Sequence, residues 1–219
     1  MRKTVIRVIV YSVNMEQGTE RAVAVERLAA VIAECRKCPL WENTHHAVPG
    51  EGNPGADLML IGEAPGKQED LTGRPFVGRA GKLLEGLLAG IGLTRDDIFI
   101  ANIVKHRPPG NRDPRDEEIL ACTPYLEEQI RIVAPKVIVM LGRHSSRYVL
   151  SFVPVEFDRI TEIRGTVYPG LLFGHPVRLI PTLHPAAALY NPAYLEALKE
   201  DFQVIGRELL GAGGSAIQD

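Results

Sequence analysis

The sequence predicts an α/β fold, a three-layer αβα sandwich around a central, mainly parallel four-stranded sheet. Short, continuously apolar segments, typical of strands buried on both faces, alternate along the chain with longer segments of helical periodicity. Loops that combine glycine, proline and charged residues follow several of these strands. Ligands bind at the carboxyl ends of the strands in parallel sheets, so we expect the functional site in these loops.

Strands are predicted for four apolar segments: 57–61, 98–102, 136–141 and 178–183. Helices are predicted where apolar residues recur at helical spacing: 20–34, 79–91, 114–133, from residue 143 onward, and 193–210. Pro114 suits a helix start, Pro135 follows a helix end, and Gly92 lies just past another. Residues 62–78 are predicted to form one loop rich in glycine and proline.

The domain organisation follows from these elements. Residues 19–210 form a single domain, and residues 1–18 form an N-terminal appendage with a short strand over 4–13. Residues 211–219, rich in glycine, are predicted to be a flexible tail.

Composition excludes several classes of protein. The chain is 45% hydrophobic and 24% charged, which is typical of a globular domain and not of a disordered or collagen-like chain. No apolar run reaches the length of a membrane span, and no cleavable signal is evident, so a cytoplasmic protein is expected. With a net charge of −2, a nucleic-acid partner must be held by a local basic patch.

The loop 62–70, GEAPGKQED, is the first candidate for a ligand site. Its glycines and proline favour a rigid turn whose amides can face a ligand, and three carboxylates in one loop are unusual. It matches neither a phosphate loop nor a dinucleotide fingerprint, which argues against nucleotide-cofactor chemistry. An acidic turn that caps a helix is the structural alternative.

Three further positions suit recognition of a base. Phe76, between Pro75 and the nearby glycines of the same loop, can stack on a flat ring, although this segment taken alone favours an ordinary core role. Asn102, at a strand end, offers one acceptor and two donors to a base edge. The basic loop 105–112 that follows suits phosphate contact or simple solvation. His184, fixed by a following proline, is placed as a hydrogen-bond donor or as a structural residue.

The chain has three cysteines, Cys35, Cys38 and Cys122. An odd number that includes a Cys-x-x-Cys pair argues against a disulfide framework. The pair follows a helix, whereas thioredoxin-like chemistry would place it after a strand. Redox, zinc and iron–sulfur roles remain open, and a four-ligand metal site needs one more donor.

In combination these segments resemble the iron–sulfur uracil-DNA glycosylases, family 4 of that superfamily. The resemblance covers about residues 28–207 and rests on the order and spacing of several motifs: CRKCPLW (35–41), GEAPGKQED (62–70), GRPFVGRAGKLL (73–84), ANIVKHRPPGNRDP (101–114), the segment around Cys122, and LHP (183–185). It implies a monofunctional enzyme that flips uracil out of DNA, hydrolyses its N-glycosidic bond and leaves an abasic site.

The resemblance also implies roles for the pocket residues. Phe76 stacks on the flipped base, and Asn102 reads the uracil edge. Glu69 closes the space beside C5, which excludes the methyl group of thymine. His184 faces O2 and stabilises the departing anion. The backbone around Gly62, Glu63, Ala64 and Gly66 contacts uracil, and Glu63 is the candidate for activating water.

Outside the pocket, the resemblance implies contacts with DNA and a 4Fe–4S cluster. Lys105, Arg107 and Arg112 are predicted to contact phosphates, and Leu189 or Tyr190 to fill the vacated stack, since Ala188 stands where relatives carry leucine. The cluster ligands are predicted to be Cys35, Cys38, Cys122 and His106, with His106 at the position of a cysteine in relatives. Uracil-containing DNA, double- or single-stranded, is the expected partner of a monomeric protein; a sliding clamp stays open, without a docking motif.

Two other interpretations remain open. One is a module of the same fold that binds uracil-containing DNA without catalysis. The other is an unrelated protein stabilised by zinc on Cys35, Cys38, His106 and Cys122. If His106 is only a basic loop residue, one iron of a cluster would carry water.

Overall fold

The computed structural model describes residues 2–213 of the chain, and side chains for residues 18–211. Its elements alternate between strands and helices, as predicted. The helices are α1 (Arg2–Ala33), α2 (Lys67–Thr72), α3 (Arg79–Ala89), α4 (Asp116–Val133), α5 (Arg143–Leu150), α6 (Ile160–Ile163), α7 (Pro185–Ala188) and α8 (Pro192–Gly213). The strands are β1 (Glu51–Gly52), β2 (Leu58–Gly62), β3 (Ile98–Asn102), β4 (Val137–Leu141), β5 (Tyr168–Leu172) and β6 (His175–Thr182).

The strands form one mixed sheet in the order β1-β3-β2-β4-β6-β5. The four central strands are parallel and correspond to the four predicted ones, whereas β1 and β5 are antiparallel at the two edges. The prediction of a four-stranded sheet is therefore wrong in strand number. The missed strands are poor matches to a buried apolar run, because β1 has only two residues and β5 contains Pro169 and Gly170, which suit sheet edges.

Alternate residues of the central strands face opposite layers, which makes the sandwich three-layered. Met59, Ile61, Phe99 and Ala101 pack in one core with apolar residues of α1, α4 and α5. Leu58, Leu60, Ile98 and Ile100 pack in a second core with apolar residues of α3 and α8. Burial on both faces explains why these strands are apolar throughout, and the predicted αβα class is confirmed.

The structure corrects three local predictions. The backbone of 4–13 is helical and continuous with α1, because no proline or glycine interrupts the chain before Gly18. The predicted loop 62–78 contains α2, a short helix between Gly66 and Gly73. Helix α8 extends to Gly213, into the predicted tail, and residues 214–219 lie outside the described part of the chain. Within the described residues, no helix has the length and apolar character needed to cross a membrane.

Candidate active site

A cavity of about 320 Å³ opens at the carboxyl ends of the parallel strands. This size falls within the range of small-molecule sites. Most of the predicted pocket residues line it: Glu63, Ala64, Gly66, Glu69, Phe76, Asn102, Arg112 and His184. Pro65, Ala80, Pro108, Asn111 and Ala186 complete the lining. Segments far apart in sequence thus meet at one cavity, as expected for loops at the carboxyl ends of parallel strands.

Asn102, the last residue of β3, forms the polar floor of this cavity and is 2% exposed. Its Oδ1 is the one buried side-chain oxygen or nitrogen without a hydrogen-bond partner among the described residues. A buried polar atom left unpaired is costly, typically about 1–3 kcal/mol, so such an atom facing a cavity points to a ligand donor. Gly62 makes room for this arrangement, since a Cβ there would overlap Asn102 Oδ1 and lie 2.7 Å from Cζ of Phe76.

Lys105 holds the backbone beneath Asn102 and lies fully inside the protein. Its ammonium donates to the carbonyl of Asn102 at 2.8 Å and to Oε1 of Gln129 at 2.7 Å. Gln129 in turn donates to the carbonyl of Pro49 at 2.6 Å. Burial lowers the pKa of Lys105 to about 8. The prediction that Lys105 contacts phosphate is therefore wrong, because both of its acceptors are internal and the side chain does not reach the surface.

Phe76 forms a side wall of the cavity. Its ring stacks against the imidazole of His184, with centroids 5.7 Å apart and planes 30° apart. The backbone of Phe76 is left-handed, with φ of 50°, a conformation that costs a non-glycine residue about 1–2 kcal/mol. The turn packs closely against Gly81, where a Cβ would overlap the Phe76 carbonyl. The ring direction is thus set by a strained turn.

Glu69 fixes the segment that follows Phe76. Its Oε1 accepts hydrogen bonds from the backbone N–H groups of Val77 and Gly78, both at 2.9 Å. A Cβ at Gly66 would lie 2.7 Å from its Oε2, so the turn and the carboxylate fit closely together. Glu69 therefore lines the cavity and also ties α2 to the Phe76 turn.

His184 precedes α7 and lines the same cavity as Asn102. Its Nδ1 accepts a hydrogen bond from the backbone N–H of Ala186 at 3.1 Å. Burial lowers the pKa of His184 to about 4, against an opposing effect of Glu69, so the ring is neutral near pH 7. Because Nδ1 accepts, the proton of the neutral ring belongs on Nε2, which is free to donate to a ligand.

Glu63 lines the cavity and belongs to a charged group whose other members the sequence did not reveal. Nε2 of His144 lies 3.0 Å from Oδ2 of Asp113 and 4.0 Å from Oε2 of Glu63. A guanidinium nitrogen of Arg143 lies 3.5 Å from the same Asp113 oxygen. Burial and the charge of Asp113 raise the pKa of Glu63, whereas His144 and Arg143 lower it, and burial outweighs both. His144 follows the end of β4, so the strand-end rule could have found it.

Of the other predicted DNA contacts, Arg112 lines the cavity, whereas Arg107, Leu189 and Tyr190 are not part of its lining. Arg112 donates from two nitrogens to the buried carboxylate of Glu118, at 2.8 and 2.6 Å, which engages most of its guanidinium. Arg107 donates to the side chain of Asn111 at 2.7 Å on the exposed surface. Leu189 is half-buried after α7, and Tyr190 is 81% exposed.

The cysteines converge on the opposite side of β3 from α3, within the core shared by α1 and α4. Burial raises the pKa of the Cys122 thiol to about 11, and Cys38 and Cys35 add to the increase, so the three thiols lie within reach of one another's charge. The backbone N–H of Lys105 donates to Sγ of Cys122 at 3.2 Å. His106, the next residue, is 5% exposed, and burial lowers its pKa, with Asp70 opposing.

The cysteines and His106 are spaced more widely than the ligands of a single ion. In the described part of the chain, the one group of at least three metal-ligating residue types with its atoms within 4.8 Å of one another is Glu63, Asp113 and His144. The four predicted ligands thus do not form a tetrahedral zinc arrangement as they stand.

Comparison with known proteins places the chain in a family. The family profile described as the uracil DNA glycosylase superfamily matches residues 49–206. A type-4 uracil-DNA glycosylase of Sulfurisphaera tokodaii is 51% identical over 85% of this chain and 84% of its own length. Proteins of the same name from Saccharolobus solfataricus and Archaeoglobus fulgidus are 48% and 45% identical, over 84% and 86% of this chain and 86% and 94% of their own lengths. The chain therefore belongs to the uracil DNA glycosylase superfamily, and within it to the type-4 uracil-DNA glycosylases.

Proposed function

We propose that this chain excises uracil from DNA by hydrolysing the N-glycosidic bond, leaving an abasic site for repair. The observation that carries the proposal is the unpaired Oδ1 of Asn102 at the floor of a cavity walled by Phe76. Uracil presents an N3–H donor next to the O4 acceptor. The Asn102 amide offers the complementary pair, with Oδ1 accepting from N3–H and Nδ2 donating to O4.

Rejection of cytosine follows from the same pair. Cytosine carries an acceptor at N3 and a donor at its exocyclic amine, the reverse of uracil. Bound in this cavity, it would leave buried polar groups on both partners unpaired. Phe76 stacks on the flipped base, which offsets part of the few kcal/mol needed to extract it from the helix. Glu69, which lines the cavity, is proposed to close the space beside C5 and so to exclude the methyl group of thymine.

His184 is the proposed catalytic donor. As the glycosidic bond breaks, negative charge develops on uracil and positive charge on the sugar. The neutral imidazole donates from Nε2 to O2 of uracil, and a donor already in place there stabilises the developing charge. Glu63, once ionised, accepts a proton from the attacking water. Backbone groups of Gly62, Ala64 and Gly66 are proposed to contact the base.

On the surface, Arg107 is the proposed phosphate contact, with Arg112 as a weaker one because Glu118 already engages its guanidinium. Tyr190, 81% exposed beyond His184, or Leu189 beside it, is proposed to fill the gap that the flipped base leaves.

An assay of base release tests the activity directly. The purified full chain should release free uracil from uracil-containing DNA without added magnesium or nucleotide, and leave abasic sites that alkali cleaves. Binding of uracil-containing DNA without release would favour a non-catalytic module. Strand cleavage without an abasic intermediate would contradict a monofunctional glycosylase.

We also propose that Cys35, Cys38, Cys122 and His106 hold a 4Fe–4S cluster. Three free thiols and a buried imidazole form a donor set suited to iron. When bound, the cluster supplies a covalent tie between the end of α1, the loop after β3 and α4. That tie would hold the loop carrying Lys105 and Arg107 beside the pocket.

The iron content of His106 variants tests the fourth ligand. We expect His106→Ala to lose iron and His106→Cys to retain it, and pulsed electron resonance of the reduced wild type to detect a histidine nitrogen. His45→Ala is the matched control, because His45 is a largely exposed imidazole beside Asp70. Full iron in His106→Ala without nitrogen coupling would refute the ligand assignment and leave the glycosylase assignment intact.

A further inference from the structure

We propose that Arg95, which lies outside the pocket lining, is a positioning residue for uracil recognition: it holds the backbone of the Phe76 turn so that the ring keeps its stacking direction. This inference rests on the proposed stacking role of Phe76. It adds a residue that touches neither the base nor the sugar.

Arg95 begins the short 3₁₀ helix Arg95–Asp97 ahead of β3, and its side chain is only 17% exposed. The guanidinium reaches across to the Phe76 turn. One terminal nitrogen donates to the carbonyl of Phe76 at 2.9 Å, and the other donates to the carbonyl of Pro75 at 2.6 Å. Two consecutive carbonyls of the turn are therefore fixed by one planar cation.

Glu51 aligns that cation. Its Oε1 accepts from Nε of Arg95 at 3.1 Å and also from a terminal nitrogen of Arg95. The planar guanidinium is thus held along one edge by a carboxylate while it binds the carbonyls. A lysine could not reproduce this, because its single ammonium cannot hold two carbonyls and a carboxylate in one plane.

The Phe76 turn needs such support because its backbone is left-handed, with φ of 50°. A strained residue of this kind persists only when its surroundings over-determine the conformation. Two charged side chains do so here: Arg95 holds the carbonyls of Pro75 and Phe76, and Glu69 holds the amides of the next two residues. Without Arg95, one of these two clamps is lost, and the turn can relax away from the direction that stacks Phe76.

Arg74 provides a matched control in the same chain. It also pairs with Glu51, through bonds of 2.7 and 3.1 Å, but its side chain is 61% exposed and these bonds do not reach the carbonyls of the turn. Replacing either arginine removes one ion pair from Glu51; replacing Arg95 also removes a longer ion pair, of 3.4 Å, with the half-exposed Glu85. Only the Arg95 change releases the Phe76 turn, so a difference between the two variants isolates positioning from surface charge.

The experiment measures inhibition by free uracil, single-turnover excision and thermal stability for the full-length variants Arg95→Ala, Arg95→Lys, Arg74→Ala and Phe76→Ala. Loss of a charged hydrogen bond predicts that Arg95→Ala weakens inhibition by uracil about tenfold or more. Inhibition of Arg95→Lys by uracil should lie between that of Arg95→Ala and that of wild type. The lysine variant replaces the alanine variant in the test if the latter does not fold. Uracil should inhibit Arg74→Ala as strongly as it inhibits wild type. Affinity for DNA that carries a tetrahydrofuran abasic analogue should stay unchanged in all four variants.

The outcomes separate this inference from the proposed function. If Phe76→Ala weakens uracil inhibition while both Arg95 variants match Arg74→Ala, the positioning role is overturned and the pocket assignment stands. If uracil inhibits Phe76→Ala as strongly as wild type, Phe76 does not stack on the base, and the positioning role of Arg95 is overturned with it. If the Arg95 variants lose affinity for uracil and for the abasic analogue equally, their effect is a general loss of structure, which also overturns the positioning role.

Discussion

Two walls of the cavity differ in chemical character. The base wall, formed by Phe76, Asn102 and His184, is neutral at pH 7 and anchored through backbone contacts. The carboxylate wall consists of Glu63, which lines the cavity, and its neighbours Asp113 and His144; it is charged and nearer to solvent, and burial together with the charge of Asp113 raises the pKa of Glu63. We infer that the base wall selects the substrate independently of pH, whereas the carboxylate wall makes the rate depend on pH.

The difference has a physical reason. Discrimination between uracil and cytosine requires donors and acceptors that do not exchange protons with water, and an amide and a neutral imidazole meet that requirement. Activation of water requires a group that does exchange protons, and burial together with a neighbouring carboxylate raises the pKa of such a group toward the working pH. Substitutions on the two walls should therefore fail in different ways.

The largest effect is expected for Asn102→Asp on the base wall. The carboxylate loses the donor to O4, and when ionised it repels that oxygen. Uracil excision should fall on the order of a thousandfold, as expected where a buried polar pair is broken. Binding to DNA with an abasic analogue should change little. The protonated carboxyl tolerates the exocyclic amine of cytosine, so weak cytosine release should appear in a product assay.

Asn53→Asp is the control for that experiment, because Asn53 is an exposed amide away from the cavity. If Asn102→Asp excises uracil at the wild-type rate, Asn102 does not read the base and the base wall is misassigned.

His184→Ala should lower the single-turnover rate about a hundredfold, the scale for loss of one charge-stabilising donor. Since the pKa of His184 is about 4, the ring is neutral across the usual assay range, and the factor should not vary with pH there. His184→Gln should recover part of the rate as a neutral donor. His175→Ala, an exposed histidine at the far end of β6, is the control. A factor that changes steeply between neutral and alkaline pH would contradict the neutral-donor role.

Substitutions on the carboxylate wall should have smaller effects, and they should shift the pH dependence of the rate in opposite directions. In its proposed role Glu63 acts when ionised, so we expect the rate to rise as pH increases through its raised pKa. Asp113→Asn removes a neighbouring negative charge, which lowers the pKa of Glu63 and moves the rise to lower pH. His144→Gln removes an influence that lowers this pKa and moves the rise to higher pH. Single-turnover rates across pH measure both shifts, with the exposed Asp116→Asn as control.

A rise that moves the same way in both variants, or one that persists in Glu63→Gln, would show that Glu63 is not the titrating group.

The two walls also differ in how far the sequence could predict them. Asn102 ends β3 and His184 follows β6, so their convergence follows from the parallel sheet, whereas Phe76 lies next to Pro75 on the loop between α2 and α3. His144 also follows a strand end, but its contact with Asp113 depends on side-chain directions that no periodicity encodes.

Burial of charge was the other feature beyond the reach of sequence reasoning. Lys105 sits in a basic loop beside Arg107, and composition favours solvent or phosphate for both. In the structure Lys105 points inward because two acceptors lie there. One is the carbonyl of Asn102, three residues earlier in the same turn, and the other is Gln129 on α4, which is distant in sequence. The edge strands β1 and β5 were missed for a related reason, since their pairing depends on a neighbour and not on apolar content.

The central claim is that the unpaired Oδ1 of Asn102 receives the N3–H of uracil. It is tested most directly by comparing inhibition of the full chain by free uracil and by 3-methyluracil, which lacks that proton, in wild type and Asn102→Ala. We predict that uracil inhibits wild type and 3-methyluracil does not, and that Asn102→Ala no longer distinguishes them. Equal inhibition of wild type by both compounds would contradict the claim.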